Sequence, residues 1–319
     1  MEINGYRITH DLTNDNSGFS KWGFGDKGGV SYFIKEFLSP VYPLDSTAMS
    51  PDQLEKKQNA CEEYEKSRLD LYAAINRCSR GNIVRINEFF RAGNHYYIAT
   101  ERISGERITA PDIAARPLEE KLLVCKSIAY SFACLHTAHI VHFDVKPSNI
   151  LLCATKTGRC AAKVIDFDES NFVDYFTNKD VDINGDLAYL APETFLRISG
   201  ERSVINEKTD IFSLALVFHV YLTGEYPTLE SEYEYAFESV LNGTDVCLSD
   251  EIPTNIKALL LDMLSCDPAK RPDCDTIMDR LIVDNIEGDT DDSVCKAESK
   301  VSSEAFSGNK KHFKRAGNL

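Results

Sequence analysis

No two cysteines in the chain have the C-x-x-C spacing of a zinc or dithiol site, and no histidine cluster lies at zinc-ligand spacing. The ten cysteines are scattered from Cys61 to Cys295, mostly among apolar neighbours. There a free thiol behaves as a small core residue, which suits a reducing, cytoplasmic setting. The N-terminal residues Met1 to Leu12 lack the charged-then-apolar pattern of a secretion signal. No apolar run approaches the roughly 20 residues that cross a bilayer. The nearest, Ile211 to Leu222, is short and contains His219, so a membrane partner is not expected. Basic residues are also in deficit. Lys and Arg number 35 against 50 Asp and Glu, a formal net charge of −15. A nucleic-acid backbone would be repelled, so no nucleic-acid partner is expected.

What remains is an ordinary globular composition, 43% hydrophobic and 27% charged, in 319 residues. That is enough chain for two lobes with a sizeable core. Residues 1–103 read as a strand-rich unit with one long helix. Tyr6 to Leu12, Lys21 to Phe24, Val30 to Phe37, Ile83 to Phe90 and Tyr96 to Glu101 are predicted strands, and Gly25 to Gly29 a turn. Ser50-Pro51 has the form of an N-cap followed by a first-turn proline. From there Leu54, Cys61, Tyr64, Leu71, Tyr72 and Ile75 recur at helical spacing up to about Cys78. Residues 104–284 read as mainly helical, with helices at Leu118 to Thr137, Asp210 to Leu222, Tyr233 to Leu241, Ile256 to Leu264 and Thr276 to Val283. From residue 285 the chain turns polar, and a disordered tail is expected.

The most informative run is Ile140 to Leu152, IVHFDVKPSNILL. Phosphoryl transfer needs an acid to orient a hydroxyl, a cation to steady the moving phosphate and an oxygen ligand to hold a metal, all close together. Asp144, Lys146 and Asn149 supply these between two hydrophobic stretches. The segment resembles the catalytic loop of the eukaryotic-type (Hanks-type) serine/threonine protein kinases. The resemblance extends from about residue 5 to 283. It implies an α+β, bilobal protein-kinase fold, with an antiparallel-sheet lobe carrying a long helix and a large helical lobe. It also implies ATP and Mg²⁺ as cofactors.

Further motifs follow in the order of that family. Lys35 in YFIKEF resembles the strand lysine that binds the ATP phosphates. Glu62, Glu63, Glu65 and Asp70 are the candidate helix carboxylates beside it, and Glu65, nearest the apolar stripe, is the expected one. Ser17, Gly18 and Phe19 stand where the glycine-rich phosphate loop is expected, with serines at two glycine positions. Thr100 matches the gatekeeper, and Glu101 and Ile103 the adenine hinge. Leu151 lines the same site. Trp22 and Phe33 are bulky where small residues usually frame adenine. Asp166-Phe167-Asp168 stands in place of Asp-Phe-Gly, making Asn149 and Asp166 the implied Mg²⁺ ligands. Ala191-Pro192-Glu193 closes the activation segment, with Arg271 the implied partner of Glu193. Asp210 matches the aspartate that braces the catalytic loop.

Three departures bear on control. Asp168 replaces glycine. Phe143 replaces the arginine that receives an activation-loop phosphate, so switching by that route is not expected. Asp186 stands where a threonine is usual, able to pair with Lys146 or to accept a substrate hydroxyl. Ser170, Tyr175 and Thr177 are candidate autophosphorylation positions.

The reading is a kinase that moves the γ-phosphate of ATP to serine or threonine hydroxyls of a protein substrate, itself included. The catalytic residues are Asp144, Lys146 and Lys35. Lys146, two residues after Asp144, favours Ser/Thr over Tyr. The short activation segment and the absent arginine suggest a stand-alone member of bacterial or viral type. Two alternatives remain open: a pseudokinase-like nucleotide-binding scaffold with weak or no catalysis, and a small-molecule kinase. Nothing in the sequence fixes the oligomeric state.

Overall fold

The computed structural model describes residues 1–15, 20–44, 49–155, 157–178 and 185–282. Residues through Val283 form one compact unit. Its N-terminal part is a six-stranded antiparallel sheet. The strands are β1 (Glu2–Ile3), β2 (Tyr6–Ile8), β3 (Ser20–Lys27), β4 (Val30–Phe37), β5 (Ile86–Ala92) and β6 (His95–Glu101). They lie in the order β1-β2-β3-β4-β6-β5. The β3–β4 turn is tighter than the sequence indicated. Gly28 and Gly29 take it at φ 62° and 80°, a left-handed path that glycine follows at no steric cost. The register sets Trp22 opposite Lys35 and Phe24 opposite Phe33, so all four side chains share one face of the sheet.

Helix α1 (Pro51–Cys78) begins where the Ser50-Pro51 pair indicates. Ser50 accepts from the Gln53 backbone N–H, and the Gln53 side chain accepts from the Ser50 N–H, a closed capping box. Its buried face comprises Cys61, Arg68, Leu71, Tyr72, Ala74 and Ile75. Tyr64 of the helix meets Phe89 and Tyr96 edge-on, and those two rings stack on each other.

The rest of the unit is mainly helical. It contains β7 (Arg107–Ile108), α2 (Ala110–Ala114), α3 (Leu118–Thr137), β8 (Ile140–Val141), β9 (Ile150–Ala154), β10 (Cys160–Val164) and β11 (Asn171–Phe172). After these come α4 (Val173–Asn178), α5 (Pro192–Ile198), α6 (Lys208–Thr223), α7 (Ala236–Leu241), α8 (Thr254–Met263) and α9 (Cys274–Arg280). The centre of this part is α6, buried on every side from Thr209 to Leu222. A short apolar helix enclosed by protein reads, in sequence, as an uninterrupted hydrophobic run. Gly224 ends it at φ 86°. This α+β arrangement, sheet with long helix followed by a helical part, is the expected bilobal fold. Among the described residues no helix is long and apolar enough to cross a membrane.

Candidate active site

The catalytic loop leaves β8 and is fixed by α6. Asp210 Oδ2 accepts from the His142 N–H at 2.9 Å and from His136 Nε2 at 3.0 Å, and Oδ1 accepts from the Phe143 N–H at 2.9 Å. Its side chain is fully buried. Phe143 is held at φ 74°, a conformation a bulky residue adopts only where its surroundings impose it. The loop therefore arrives at Asp144 with its backbone already set.

Asp144, Lys146 and Asn149 converge as the sequence indicated. Lys146 Nζ lies 3.0 Å from Asp144 Oδ2. Asn149 Nδ2 donates to the same carboxylate oxygen at 2.7 Å and to the Asp144 carbonyl at 2.8 Å. With its amide nitrogen committed, the carbonyl oxygen is the atom Asn149 has left for a cation. Asp186 Oδ2 stands 4.0 Å from Lys146 Nζ, while its Oδ1 caps a short 3₁₀ turn through the Ala188 N–H.

The second cluster adjoins the first. The Ile165 N–H donates to the Asn149 carbonyl at 2.9 Å, and His142 Nε2 donates to the Ile165 carbonyl at 3.0 Å. This delivers Asp166 beside the catalytic loop at φ 59°. Lys35 Nζ donates to both Asp166 oxygens, at 3.0 and 3.1 Å, and lies 2.5 Å from Asp168 Oδ2. Burial pushes the Lys35 pKa down, but the two carboxylates outweigh it and the net shift is upward. Burial pushes Asp166 up while Lys35 pulls it below the usual carboxylate range. Asp168 moves up, through burial and then the Asp166 charge.

Lys35 thus departs from the expectation that Glu65 would be its partner. Among the described residues Glu65 makes no ion pair. The contacts of Tyr64 and the burial of Leu71, Tyr72 and Ile75 set the rotation of α1, and at about 100° per residue Glu65 falls beside the inward stripe. Arg68 occupies the inward place. It is buried, and its Nη1 donates to the carbonyls of Asp168 and Ser170 at 3.0 and 3.1 Å. The sequence carried this signal, because Arg68 fills the gap between Tyr64 and Tyr72 at i+4 spacing.

At the hinge, Glu101 ends β6 and its carboxylate pairs with Lys163 of β10 at 2.5 Å while accepting from the Arg85 N–H. This tie between the sheet and the helical part was not anticipated. Ile103 is half-buried against the main core. Leu151 stands opposite Lys163 in the β9–β10 pair. Trp22 stacks on Phe33 with centroids 5.7 Å apart, and Phe24 meets Phe33 edge-on. Aromatic rings therefore cover the sheet face that carries Lys35. Ser17, Gly18 and Phe19 lie outside the described residues.

The activation segment is anchored at both ends. Phe143 stacks on Phe176 with centroids 4.9 Å apart and planes 12° from parallel, within a cluster that includes Val141 and Ile205. An apolar stack thus stands where an arginine–phosphate pair would. At the far end Arg271 grips Glu193 through two bonds of 2.7 and 2.8 Å, both side chains buried. Ser170 is wholly buried and donates to the His142 carbonyl, so it is not available for phosphorylation as it stands.

A carboxylate, two lysines and two further oxygen-bearing side chains stand together on a bilobal fold, Lys35 from β4 and the others from adjoining loops. A family model described as the protein kinase domain matches residues 47–282. The chain belongs to the protein kinase family. It is 27% identical over 221 residues to a probable serine/threonine-protein kinase, fhkC, of Dictyostelium discoideum, covering 68% of this chain and 36% of that one. It is 27% identical over 204 residues to a calcium and calcium/calmodulin-dependent serine/threonine-protein kinase of Lotus japonicus, covering 62% and 38%. Calcium-dependent protein kinase 4 of Plasmodium berghei is 29% identical over 156 residues, covering 48% and 28%. The chain spans little more than a third of the length of the first two. The family match starts after Lys35, so the role of that lysine rests on its geometry.

Proposed function

We propose that the chain is an ATP- and Mg²⁺-dependent protein kinase that phosphorylates serine and threonine hydroxyls, its own included. One observation carries this reading: Asp144, Lys146 and Asn149 form a single bonded cluster against the segment that presents Asp166 to Lys35. The names of the similar proteins support the Ser/Thr class, and Lys146 agrees with it.

Asp144 accepts the proton of the acceptor hydroxyl as its oxygen bonds to the γ-phosphorus and the bond to the departing ADP breaks. Lys146 offsets charge on the transferring group. Lys35 binds the α- and β-phosphates. The donor set fits Mg²⁺, with one carboxylate and one amide oxygen, a hard and sparse set that phosphate oxygens complete. Asn149 and Asp166 would hold the ion, which supplies charge neutralisation on the phosphates. The adenine-side role is assigned to Glu101, Ile103 and Leu151, and the phosphate-binding role to Ser17, Gly18 and Phe19, on the sequence resemblance alone. Residues 1–103 serve as the nucleotide lobe and 104–284 as the substrate lobe, acting on a protein partner in the cytoplasm.

The test is incubation of the purified chain with labelled ATP, Mg²⁺ and a generic basic protein. Label on serine or threonine is expected, and its absence with both substrates counts against the reading. The Trp22–Phe33 stack favours a second reading, a scaffold with a filled adenine site. ATP·Mg²⁺ should raise the melting temperature if the chain is an enzyme, and no shift would favour the scaffold.

A further inference from the structure

The long helix of this chain presents a cation to the site where a kinase needs an anion. Arg68 is the inward charged side chain of α1, and it is spent on the carbonyls of Asp168 and Ser170. Lys35 is largely buried, its side chain 12% exposed, and an unpaired ammonium there would be costly. It has two carboxylates within reach. Asp166 would also hold the implied metal, so its carboxylate would be shared between Lys35 and the ion. Asp168 has no such second task. Its side chain, 24% exposed, makes the shortest contact of Lys35. Among the described residues no helix carboxylate competes for it.

We propose that Asp168 is the positioning residue of Lys35, taking over the task of the helix glutamate, and that Arg68 holds the Asp168 backbone so that this carboxylate stays aimed at the lysine. The two departures then explain each other. An arginine at the inward helix position removes the usual carboxylate, and an aspartate in place of the third motif residue restores it from the opposite wall. The charges balance, with Lys35 and Arg68 against Asp166 and Asp168. The arrangement also gives up the conformational freedom a glycine has at that point, because the residue is tied by its side chain to β4 and by its carbonyl to α1. This inference rests on the phosphotransfer reading for its consequence in catalysis, but not for its geometry.

The test uses the full chain and four variants: Asp168→Asn, Asp168→Gly, Asp168→Glu and Glu65→Gln. With ATP·Mg²⁺ and a basic protein acceptor, Asp168→Asn and Asp168→Gly are expected to lose about 10- to 100-fold in kcat/KM for ATP, the equivalent of one charge-assisted hydrogen bond. Asp168→Glu, which keeps the carboxylate, should recover most of the loss. Glu65→Gln should stay within about twofold of the parent, as an exposed charge with no partner does. In parallel, each folded protein is treated with an acetyl N-hydroxysuccinimide ester, and acylation of Lys35 is read by peptide mass spectrometry. Releasing the amine from Asp168 should speed its labelling severalfold in the Asn and Gly variants and leave it unchanged in Glu65→Gln. Parent-like turnover and labelling in Asp168→Gly would overturn the proposal, as would a loss confined to Glu65→Gln. If the parent itself transfers no phosphate, the kinase reading fails while the labelling arm still decides the role of Asp168.

Discussion

Replacing Arg271 with methionine removes a charge from the interior while keeping much of the side chain's length. Arg271 is 2% exposed and its partner Glu193 is 5% exposed. Arg271 donates to both Glu193 oxygens, to the Ser265 carbonyl at 2.8 Å and to the Lys208 carbonyl at 2.8 Å. Without it Glu193 keeps one donor, Thr209 Oγ1 at 2.9 Å, and becomes a nearly unpaired buried charge. Breaking a buried pair from one side costs about 3–5 kcal/mol. The orphaned carbonyls overlap with that figure, because the groups act as one network. Against a typical total of about 5–15 kcal/mol the loss is a large fraction of stability. Urea denaturation followed by circular dichroism reads it as a fall in midpoint with little change in slope. The double variant Arg271→Met with Glu193→Gln should recover part of the loss, since the stranded charge is gone. A single-variant loss below about 1 kcal/mol, the range of an exposed pair, would refute the reasoning.

Phe176→Ala should destabilise by about 3–5 kcal/mol, as for other buried aromatic truncations, with activity falling through loss of the segment's anchor. Phosphatase treatment of the parent should leave its activity unchanged, because Phe143 offers a phosphate no positive partner. Asp210→Ala should cut kcat far more than KM for ATP, since the His142 and Phe143 N–H groups lose their acceptor and the loop loses its set. His219 gives a pH dependence. Burial lowers its pKa below 6.5, with the Glu225 carbonyl and charge acting upward and Lys257 downward. Its Nδ1–H donates to the Glu225 carbonyl and its Nε2 accepts from the Ser249 N–H, so a second proton has no acceptor. The folded value is the lower one, so this contribution to stability is complete above about pH 6.5 and is lost as pH falls through the folded value. Denaturation midpoints of parent and His219→Gln should converge across that interval.

The parts of the fold that follow local rules were legible in sequence. The start of α1 follows from a cap and a proline, and the catalytic loop from polar residues at fixed spacing between apolar flanks. The Glu193–Arg271 pair and the Asp210 brace follow from the resemblance. The misreading of Glu65 has a different cause. In a helix of 28 residues with charges on most faces, the rotation is chosen by what α1 packs against, and Tyr64, Arg68 and Tyr72 pack inward together. Asp168 read as a local loss of glycine, because its contact with Lys35 joins positions far apart in the chain. The pairing of β9 with β10 is not marked in the sequence, because the first of these strands merges with the apolar flank of the catalytic loop. The Glu101–Lys163 tie and the Phe143–Phe176 stack likewise depend on tertiary contacts that no periodicity marks.

The central claim is that Asp144 acts on the acceptor hydroxyl within a site built by Lys35, Asn149 and Asp166. The most direct measurement is the rate of Mg²⁺-dependent transfer of labelled γ-phosphate by Asp144→Asn beside the parent, with ATP affinity measured on both. Loss of a positioned base should lower kcat by about 10²- to 10⁴-fold while leaving ATP affinity near that of the parent. Equal rates of labelling by the two proteins would contradict it.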